Sequence, residues 1–329
     1  MPVRKELIPC GMSSFFIYNW LPFYPISCYN KKQHKIERGE TVKLKFTKMH
    51  GCGNDYVYVN CMEKNLPHPE KISAYVSHRR FGIGSDGLIC ICPSDKADFR
   101  MSMFNADTSE GKMCGNGIRC VAKYVYDKNL TDKTTIDVET LSGIKTIEMT
   151  AKDGKVTKAV VDMGEPITRA KLVPMTCKEE IFQDLDLQLD DKTIIKGTAV
   201  SMGNPHFVTF VDDVDNYDVE GIGKLIEHHP VFPERVNAEF VELVGPNEVK
   251  FRVWERGSGE TWACGTGACA VAYTCVALGK AGKKDEYLTV QAKGGTLEVK
   301  HAKNNHIFLK GPATTSFEGE IDIPDEILK

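Results

Sequence analysis

The sequence predicts a duplicated protein in which two similar domains, each containing strands and helices, face each other. The motif Cys-Gly-Asn-Gly at 114–117 returns as Cys-Gly-Thr-Gly at 264–267, a separation of 150 residues. Two further matches have the same separation: Gly-Asn at 53–54 and 203–204, and Glu110 and Glu260. Several matches at one offset indicate a duplication and not a coincidence of short motifs.

Each cysteine motif is followed by apolar residues at the spacing of an amphipathic helix. The two sets are Ile118, Val121, Ala122 and Val125, and Ala268, Val271, Ala272 and Val276. Cys114 and Cys264 are therefore expected at helix N-termini. Unpaired N–H groups and the positive end of the helix dipole favour a thiolate at such a position and also bind anions.

Two facing thiols suit a reaction in which a proton leaves one face of a carbon and returns on the other. N–H groups at two helix N-termini would stabilise the charge that develops next to a substrate carboxylate. The helix dipole contributes only about 0.3–2 kcal/mol, so another polar group should help to set the thiol state. His206 and Glu255 are the candidates, whereas Cys120, Cys269 and Cys275 are expected to be packing residues inside the helices.

The pattern predicts short strands and two helices in the first half of the chain. Strands are predicted at 44–49, 56–59, 88–91, 98–104, 135–139, 144–150 and 159–162, and helices at 69–80 and from the first cysteine motif to 128. The segment 82–87 formally matches the Gly-x-Gly-x-x-Gly fingerprint. We interpret it as a tight turn, because it follows a helix and precedes a strand, the reverse of a dinucleotide-binding loop.

A change of pattern at Pro166 marks the predicted boundary between the domains. The first domain covers 42–165 and the second covers 166–311, and the last segment, 312–329, is expected to return to the first domain. The strands predicted after the boundary include 207–211, 237–243, 249–254, 288–291, 296–300, 306–310 and 317–323, and the helices are 222–228 and the segment from the second cysteine motif to 278.

The composition of the 329 residues gives no indication of a nucleic-acid or membrane partner. The formal charge is −3, and lysine and arginine are spread among carboxylates instead of forming a basic stripe. The twelve cysteines lack the spacing of a zinc site, so no metal is expected. A chain of this kind is expected to carry free thiols in the reducing cytoplasm.

Residues 1–41 differ from the rest and are expected to be an N-terminal extension outside the core. The apolar run at 8–29 is interrupted by prolines, which makes it a poor membrane span, and it lacks the cleavage pattern of a signal peptide. The segment Glu-Arg-Gly-Glu at 37–40 is what a purine-rich ribosome-binding sequence would encode. Our hypothesis is that translation begins at Val42, and the nucleotide sequence would test it.

Several motifs together resemble those of the diaminopimelate epimerase family, over the chain from about Leu44 to its end. They are the segments 48–55, 104–107, 114–117, 203–206 and 235–237, and the stretch from 255–257 to 264–267. The resemblance implies an α+β fold of two pseudo-symmetric domains, each a curled mixed sheet around a central helix, with the active site in the cleft between them. Homodimers are common in that family.

The resemblance also implies an enzyme without cofactor or metal that interconverts LL- and meso-2,6-diaminopimelate in lysine and peptidoglycan precursor synthesis. Cys114 and Cys264 match the two catalytic bases, and His206 and Glu255 match residues that tune the thiols. The residues that match the substrate-binding set are Asn54, Asn105, Gly115, Asn116, Asn204, Asn237, Glu255, Arg256, Gly265 and Thr266. Gly87 departs from the family pattern, because many relatives have a longer polar side chain there that would contact the distal end of the substrate.

Two other classes of function remain open. A proline or hydroxyproline racemase of the same superfamily would use the same pair of thiols but would not need to bind a second amino-acid head. Glu255, Arg256 and the set of asparagines argue against it. A non-enzymatic protein that binds a small ligand would be favoured if either cysteine were missing, and both are present. A redox role is disfavoured because neither thiol lies in a Cys-x-x-Cys motif.

Overall fold

The computed structural model describes residues 41–328. Two expectations concern residues 1–41: that they form an extension outside the core and that translation starts at Val42. Except for Thr41, these residues lie outside the described part of the chain. In the part of the chain that the structure describes, the helices are all too short or too polar to cross a membrane.

The first half of the described chain consists of eight strands and two helices. The strands are β1 (Thr41–Gly51), β2 (Asn54–Asn60), β3 (Gly87–Cys92), β4 (Phe99–Asn105), β5 (Glu110–Gly111), β6 (Thr135–Thr140), β7 (Gly143–Lys152) and β8 (Lys155–Asp162). Helix α1 (Pro69–Ser77) connects β2 to β3, and helix α2 (Gly115–Asp127) connects β5 to β6. Proline at the first position of α1 has the φ angle that a helix start requires.

The second half repeats this order of elements. Its strands are β9 (Leu185–Gln188), β10 (Ile194–Ser201), β11 (Pro205–Phe210), β12 (Asn237–Gly245), β13 (Glu248–Glu255), β14 (Gly259–Thr261), β15 (Tyr287–Ala292), β16 (Gly295–His301) and β17 (Ile307–Pro312). Helix α3 (Val219–Glu227) follows β11, and helix α4 (Gly265–Ala277) follows β14. The last elements are β18 (Thr314–Pro324) and α5 (Asp325–Leu328).

The strand pairing is the same in both halves. In the first half β2 is antiparallel to β1 and parallel to β3, and β4 is antiparallel to β3 and parallel to β6. In the second half β11 is antiparallel to β10 and parallel to β12, and β13 is antiparallel to β12 and parallel to β15. Strands β8 and β17 pair with each other and join the two halves. The predicted α+β class with pseudo-symmetric halves and mixed sheets is confirmed.

The limits of the domains follow from where each copy of this pattern lies. The copy β1–β8 falls within 42–165 apart from its first residue, the copy β10–β17 ends at 312, and β18 is antiparallel to β1 along its length. We therefore propose the predicted limits 42–165 and 166–311 for the two domains and assign 312–329 to the first.

Helices α2 and α4 lie at the centre of the two halves and bury most of their predicted apolar faces, although Val276 near the end of α4 is only half-buried. Ile118, Val121, Ala122 and Val125 are fully buried in α2, as are Ala268, Val271 and Ala272 in α4. Both helices have thirteen residues and begin at equivalent positions, Gly115 and Gly265. The predicted helices are confirmed to within a residue or two at their ends, except that α1 ends at Ser77 and α3 begins at Val219. The segment 82–87 is a turn between α1 and β3, as predicted.

Leu309 of β17 lies under the first residues of both central helices. A Cβ added at Gly115 would lie 3.0 Å from its Cδ2 atom, and a Cβ added at Gly265 would lie 3.2 Å from the same atom. The side chain is fully buried in the main hydrophobic core. Leu309 therefore supports the place where the two halves meet.

Replacing Leu309 with alanine should lower the free energy of unfolding by about 2.7–5 kcal/mol, because it leaves a cavity that the neighbouring sheet fills only in part. Urea denaturation would measure the change. The control is Leu141→Ala, at a side chain that is 62 % exposed, for which we expect a change of about 0.5 kcal/mol or less. Equal effects of the two substitutions would contradict this role for Leu309.

Candidate active site

Two thiols occupy the N-terminal caps of the central helices. Cys114 caps α2, and its Sγ atom accepts a hydrogen bond from the backbone N–H of Gly117 at 3.3 Å. Cys264 caps α4 and accepts from the N–H of Gly267, also at 3.3 Å. Both cysteines have extended backbone angles, as residues do at this position. The predicted location of both thiols at helix N-termini is found in the structure.

The two helix N-termini lie against each other. A Cβ added at Gly265 would lie 3.4 Å from the Cα atom of Gly115 and 3.5 Å from the Oδ1 atom of Asn116. A methyl group at Gly265 would therefore be in ordinary van der Waals contact with the first residues of α2, which shows how close the two helix starts lie. The first N–H groups of each helix have no partner within the helix, so two sets of donors converge on one place.

Asparagine amides contact both thiols. The Cys114 thiol donates to the Oδ1 atom of Asn54 at 3.1 Å, and the Nδ2 atom of Asn54 donates to Asp86 at 2.9 Å. The Nδ2 atom of Asn237 lies 4.0 Å from the Sγ atom of Cys264, and its Oδ1 atom accepts from the backbone N–H of Arg256 at 3.0 Å. Each thiol is therefore next to an amide that can both donate and accept.

Glu255 is the carboxylate that faces both thiols. Burial raises its pKa, while hydrogen bonds from Thr261 and Cys264 act in the opposite direction. Its charge raises the pKa of both Cys264 and Cys114, in each case after burial, the largest cause. The structure thus brings this predicted tuning residue to the thiols.

Burial dominates the acid–base behaviour of the two thiols. It raises the pKa of Cys114, against the N–H groups of Gly117 and Asn116, which lower it. It raises the pKa of Cys264 further, well above the ordinary value for a thiol, with the charges of Glu255 and Glu239 adding to the effect. The expectation that the helix terminus favours a thiolate is correct in direction, but desolvation is the larger effect because Cys264 is only 6 % exposed.

The predicted tuning residue His206 contacts carboxylate and amide groups. Its Nδ1 atom lies 2.6 Å from the Oε1 atom of Glu239, and both side chains are fully buried. Its Nε2 atom lies 3.1 Å from the Oδ1 atom of Asn204. Glu239 and Asn204 therefore engage both ring nitrogens of His206.

Asn116 has a structural role that the sequence does not reveal. Its Nδ2 atom donates to the carbonyl oxygen of Ala263, the residue before Cys264, at 3.2 Å. Its Oδ1 atom accepts from the guanidinium of Arg119 at 2.9 Å, and Arg119 is itself fully buried. The side chain of Asn116 links the two halves, which leaves its backbone N–H as the group that faces the thiol.

The remaining predicted site residues have different partners. Thr266 places its Oγ1 atom 3.3 Å from the Sγ atom of Cys264. The amide of Asn105 donates to the Oγ atom of Ser109 at 2.9 Å, and the guanidinium of Arg256 donates to the carbonyl oxygen of Glu234 at 2.9 Å. Both latter contacts are exposed, so these two side chains are accessible from solvent.

Two buried charged residues next to the thiols were not identified from the sequence. Glu239 lies in β12 and Arg119 in α2, two elements whose apolar sequences are typical of the core. Neither residue belongs to a motif with a known chemistry. The offset of 150 residues contains the missing signal, because it aligns Glu239 with Ile89 and Arg119 with Cys269. A charged residue that replaces an apolar one in a duplicated core is unusual enough to mark a site.

Position 87 has no space for a side chain. A Cβ added at Gly87 would lie 2.3 Å from the carbonyl oxygen of Phe104 and 2.8 Å from the ring of Tyr56. The carbonyl belongs to the neighbouring strand β4, so it cannot move away without disturbing the sheet. A contact to substrate from this position would have to come from the backbone.

The family model and the similar sequences agree on one family. The family model described as diaminopimelate epimerase matches residues 46–168 and 198–316. The chain is 55 % identical over 287 residues to a diaminopimelate epimerase of Agathobacter rectalis, a match that covers 85 % of this chain and 100 % of the relative. It is 54 % identical over 281 residues to one of Methanococcus maripaludis strain C5, with the same coverage of both chains.

Solved structures share the fold at low sequence identity. A hydroxyproline epimerase from Agrobacterium vitis superposes with a TM-score of 0.65 at 13 % identity, over 88 % of this chain and 94 % of that one. A Bacillus anthracis phenazine biosynthesis protein of the PhzF family superposes with a TM-score of 0.62 at 17 % identity, over 85 % and 99 %. These similarities establish the fold alone.

Replacing Gly87 with alanine should lower the free energy of unfolding by about 1–3 kcal/mol, because the added methyl group overlaps the Phe104 carbonyl. Urea denaturation would measure the loss. Gly245→Ala is the matched control, since a Cβ there meets no heavy atom within 4 Å and its φ angle is not positive. An unchanged free energy of unfolding in the Gly87 variant would contradict this prediction and show that the Phe104 carbonyl of β4 can move to admit a methyl group.

Proposed function

The chain belongs to the diaminopimelate epimerase family, and we propose that it interconverts LL- and meso-2,6-diaminopimelate with Cys114 and Cys264 as its two acid–base groups. The observation that carries the proposal is the pair of thiols at helix N-termini that lie against each other. One thiol comes from each half of a duplicated fold, as an exchange between opposite faces of one carbon requires.

The proposed reaction needs one thiolate and one thiol. The thiolate removes the proton from the α-carbon on one face, so that the C–H bond breaks and an S–H bond forms. The thiol on the other side then gives its proton to the opposite face and becomes the thiolate. The stereocentre is inverted, and the two sulfur atoms have exchanged their protonation states.

The negative charge of the intermediate is stabilised by the convergent helix N-termini. We propose that the carboxylate next to the reacting carbon accepts hydrogen bonds from backbone N–H groups of Gly115, Asn116, Gly265 and Thr266. Fixed donors of this kind in a buried site contribute several kcal/mol to catalysis, roughly 2.7–4 kcal/mol for one donor in measured cases. No metal or cofactor takes part in this scheme.

Amide side chains around the thiols suit a substrate with two amino and two carboxylate groups. We propose that Asn54 and Asn237, which contact Cys114 and Cys264, bind the reacting centre together with Asn204. Asn105 and Arg256, which are half-buried with solvent-exposed contacts, would bind the distal end, where a guanidinium suits a carboxylate. The proposed substrate-binding set is completed by Gly115, Asn116, Glu255, Gly265 and Thr266.

Access to the thiols requires a movement of the protein, since Cys264 is almost completely buried. We propose that the two domains separate to admit the substrate and close to exclude water. We also propose a cytoplasmic location, a role in lysine and peptidoglycan precursor synthesis, and a homodimer. The ten cysteines that the structure describes are all free thiols, which is compatible with a reducing compartment.

The activity predicts exchange of the α-hydrogen with solvent. The protein incubated with LL-2,6-diaminopimelate in D2O should form the meso isomer with deuterium at the inverted carbon, as detected by NMR and mass spectrometry. Proline and hydroxyproline are the comparison substrates and should acquire no deuterium. Exchange with proline but not with diaminopimelate would replace the proposed function with the racemase alternative.

Replacing either cysteine with alanine should lower net epimerisation by about 10²–10⁴-fold, because one face of the carbon loses its acid–base group. Cys114→Ala should retain slow deuterium exchange without inversion for one stereoisomer, and Cys264→Ala for the other. The control is Cys275→Ala, at a fully buried thiol near the far end of α4, which should keep its activity. Epimerisation near the wild-type rate in either single variant would refute the two-base assignment.

A further inference from the structure

The duplicated fold gives its two thiols different neighbours. In the first half, a Cβ added at Gly117 would lie 2.8 Å from the Cδ1 atom of Ile89. In the second half, a Cβ added at the equivalent Gly267 would lie 2.8 Å from the Oε1 atom of Glu239. The N–H groups of these glycines are the ones that cap the thiols. The position beside the capping glycine is therefore occupied by the isoleucine Ile89 at Cys114 and by the carboxylate of Glu239 at Cys264.

Glu239 is fully buried and only partly paired. Its Oε1 atom is 2.6 Å from the Nδ1 atom of His206, while its Oε2 atom has no hydrogen-bond partner among the described residues. A buried charged group with a free oxygen is costly, and an apolar residue of similar size, such as the isoleucine of the first half, would fit a core strand better. Its presence therefore calls for a function other than stability.

The charge of Glu239 acts directly on Cys264. A negative charge beside a thiol disfavours the thiolate, and in a buried site the effect is not screened by water. The charged groups that raise the pKa of Cys264 are Glu255 from β13 and Glu239 from β12. His206 from β11 contacts Glu239 and not the thiol. Cys114 shares Glu255, but it has Ile89 in place of Glu239, and the cation of Arg119 lowers its pKa.

We propose that Glu239 is a positioning residue that holds Cys264 in the thiol form in the free protein, so that Cys114 is the first to act as the base. The same carboxylate fixes the ring of His206, whose other nitrogen contacts Asn204. The proposal rests on the proposed catalytic role of the two cysteines and adds the reason why their resting states differ. The direction of the two pKa values agrees, since that of Cys264 is raised further.

The test measures the reactivity of each thiol in the full chain without substrate. Each thiol is alkylated with iodoacetamide over a range of pH, and its rate is followed by peptide mass spectrometry. In the wild-type protein, the rate at Cys114 should reach its midpoint at a lower pH than the rate at Cys264. The comparison uses midpoints and not absolute rates, so the different exposure of the two thiols does not affect it.

The informative variant is Glu239→Gln, which keeps the shape of the side chain and removes its charge. At a fixed pH below both midpoints, it should raise the alkylation rate of Cys264 by about three- to tenfold, since a lower pKa gives more thiolate but a weaker nucleophile. Cys114 in the same sample should change much less. Glu239→Asp, which keeps the charge, should leave the Cys264 midpoint close to that of the wild type.

The control variant is Glu242→Gln on the same strand, whose side chain accepts from the backbone N–H of Val214 and does not face the thiols. It should change neither midpoint. An unchanged Cys264 rate in Glu239→Gln, or equal changes at both cysteines, would overturn the proposal. If the Glu239→Gln variant does not fold, the wild-type protein still tests the proposal, since a Cys264 midpoint at or below the Cys114 midpoint would overturn it. Failure of the proposed function would appear separately, as wild-type protein that does not epimerise diaminopimelate.

Discussion

The close approach of two helix N-termini is the constraint on which the rest of the structure depends. Gly115 and Gly265 have no side chains, and this lets two backbones come together over Leu309. A methyl group at either position would come within 3.0–3.2 Å of the Cδ2 atom of Leu309, so the packing beneath the two helix N-termini is tight. The same contact brings two sets of unpaired N–H groups to one point, so the packing requirement and the chemical requirement are met by the same two residues.

Burial raises the pKa values of the two thiols and the helix N-termini lower them, and the balance of the two effects sets how much thiolate is present. Burial dominates, so neither thiol ionises easily. A substrate that brings ammonium groups next to the thiols would change that balance by adding positive charge. A low thiolate content makes both sulfur atoms weak nucleophiles in this arrangement.

The features that both halves share could be predicted from the sequence, whereas the residues that differ between the halves could not. The helices after Cys114 and Cys264 follow from periodicity, because a buried helix face imposes a regular spacing of apolar residues. The short strands β5 and β14 were not predicted, since a strand of two or three residues carries no pattern. Glu239 and the linking role of Asn116 depend on neighbours more than 20 residues away in the chain, which local sequence cannot reveal.

The pairing of β18 with β1 has a consequence for how the chain folds during synthesis. The two strands pair from Thr41 with Pro324 to His50 with Thr314, so the first described strand meets its partner only when almost the whole chain has been made. Until then one edge of the first domain carries unpaired N–H and C=O groups, the kind of surface that other unfinished chains can join. Charged Lys43, Lys45 and Glu320 alternate along these strands, a feature that discourages such aggregation on the ribosome.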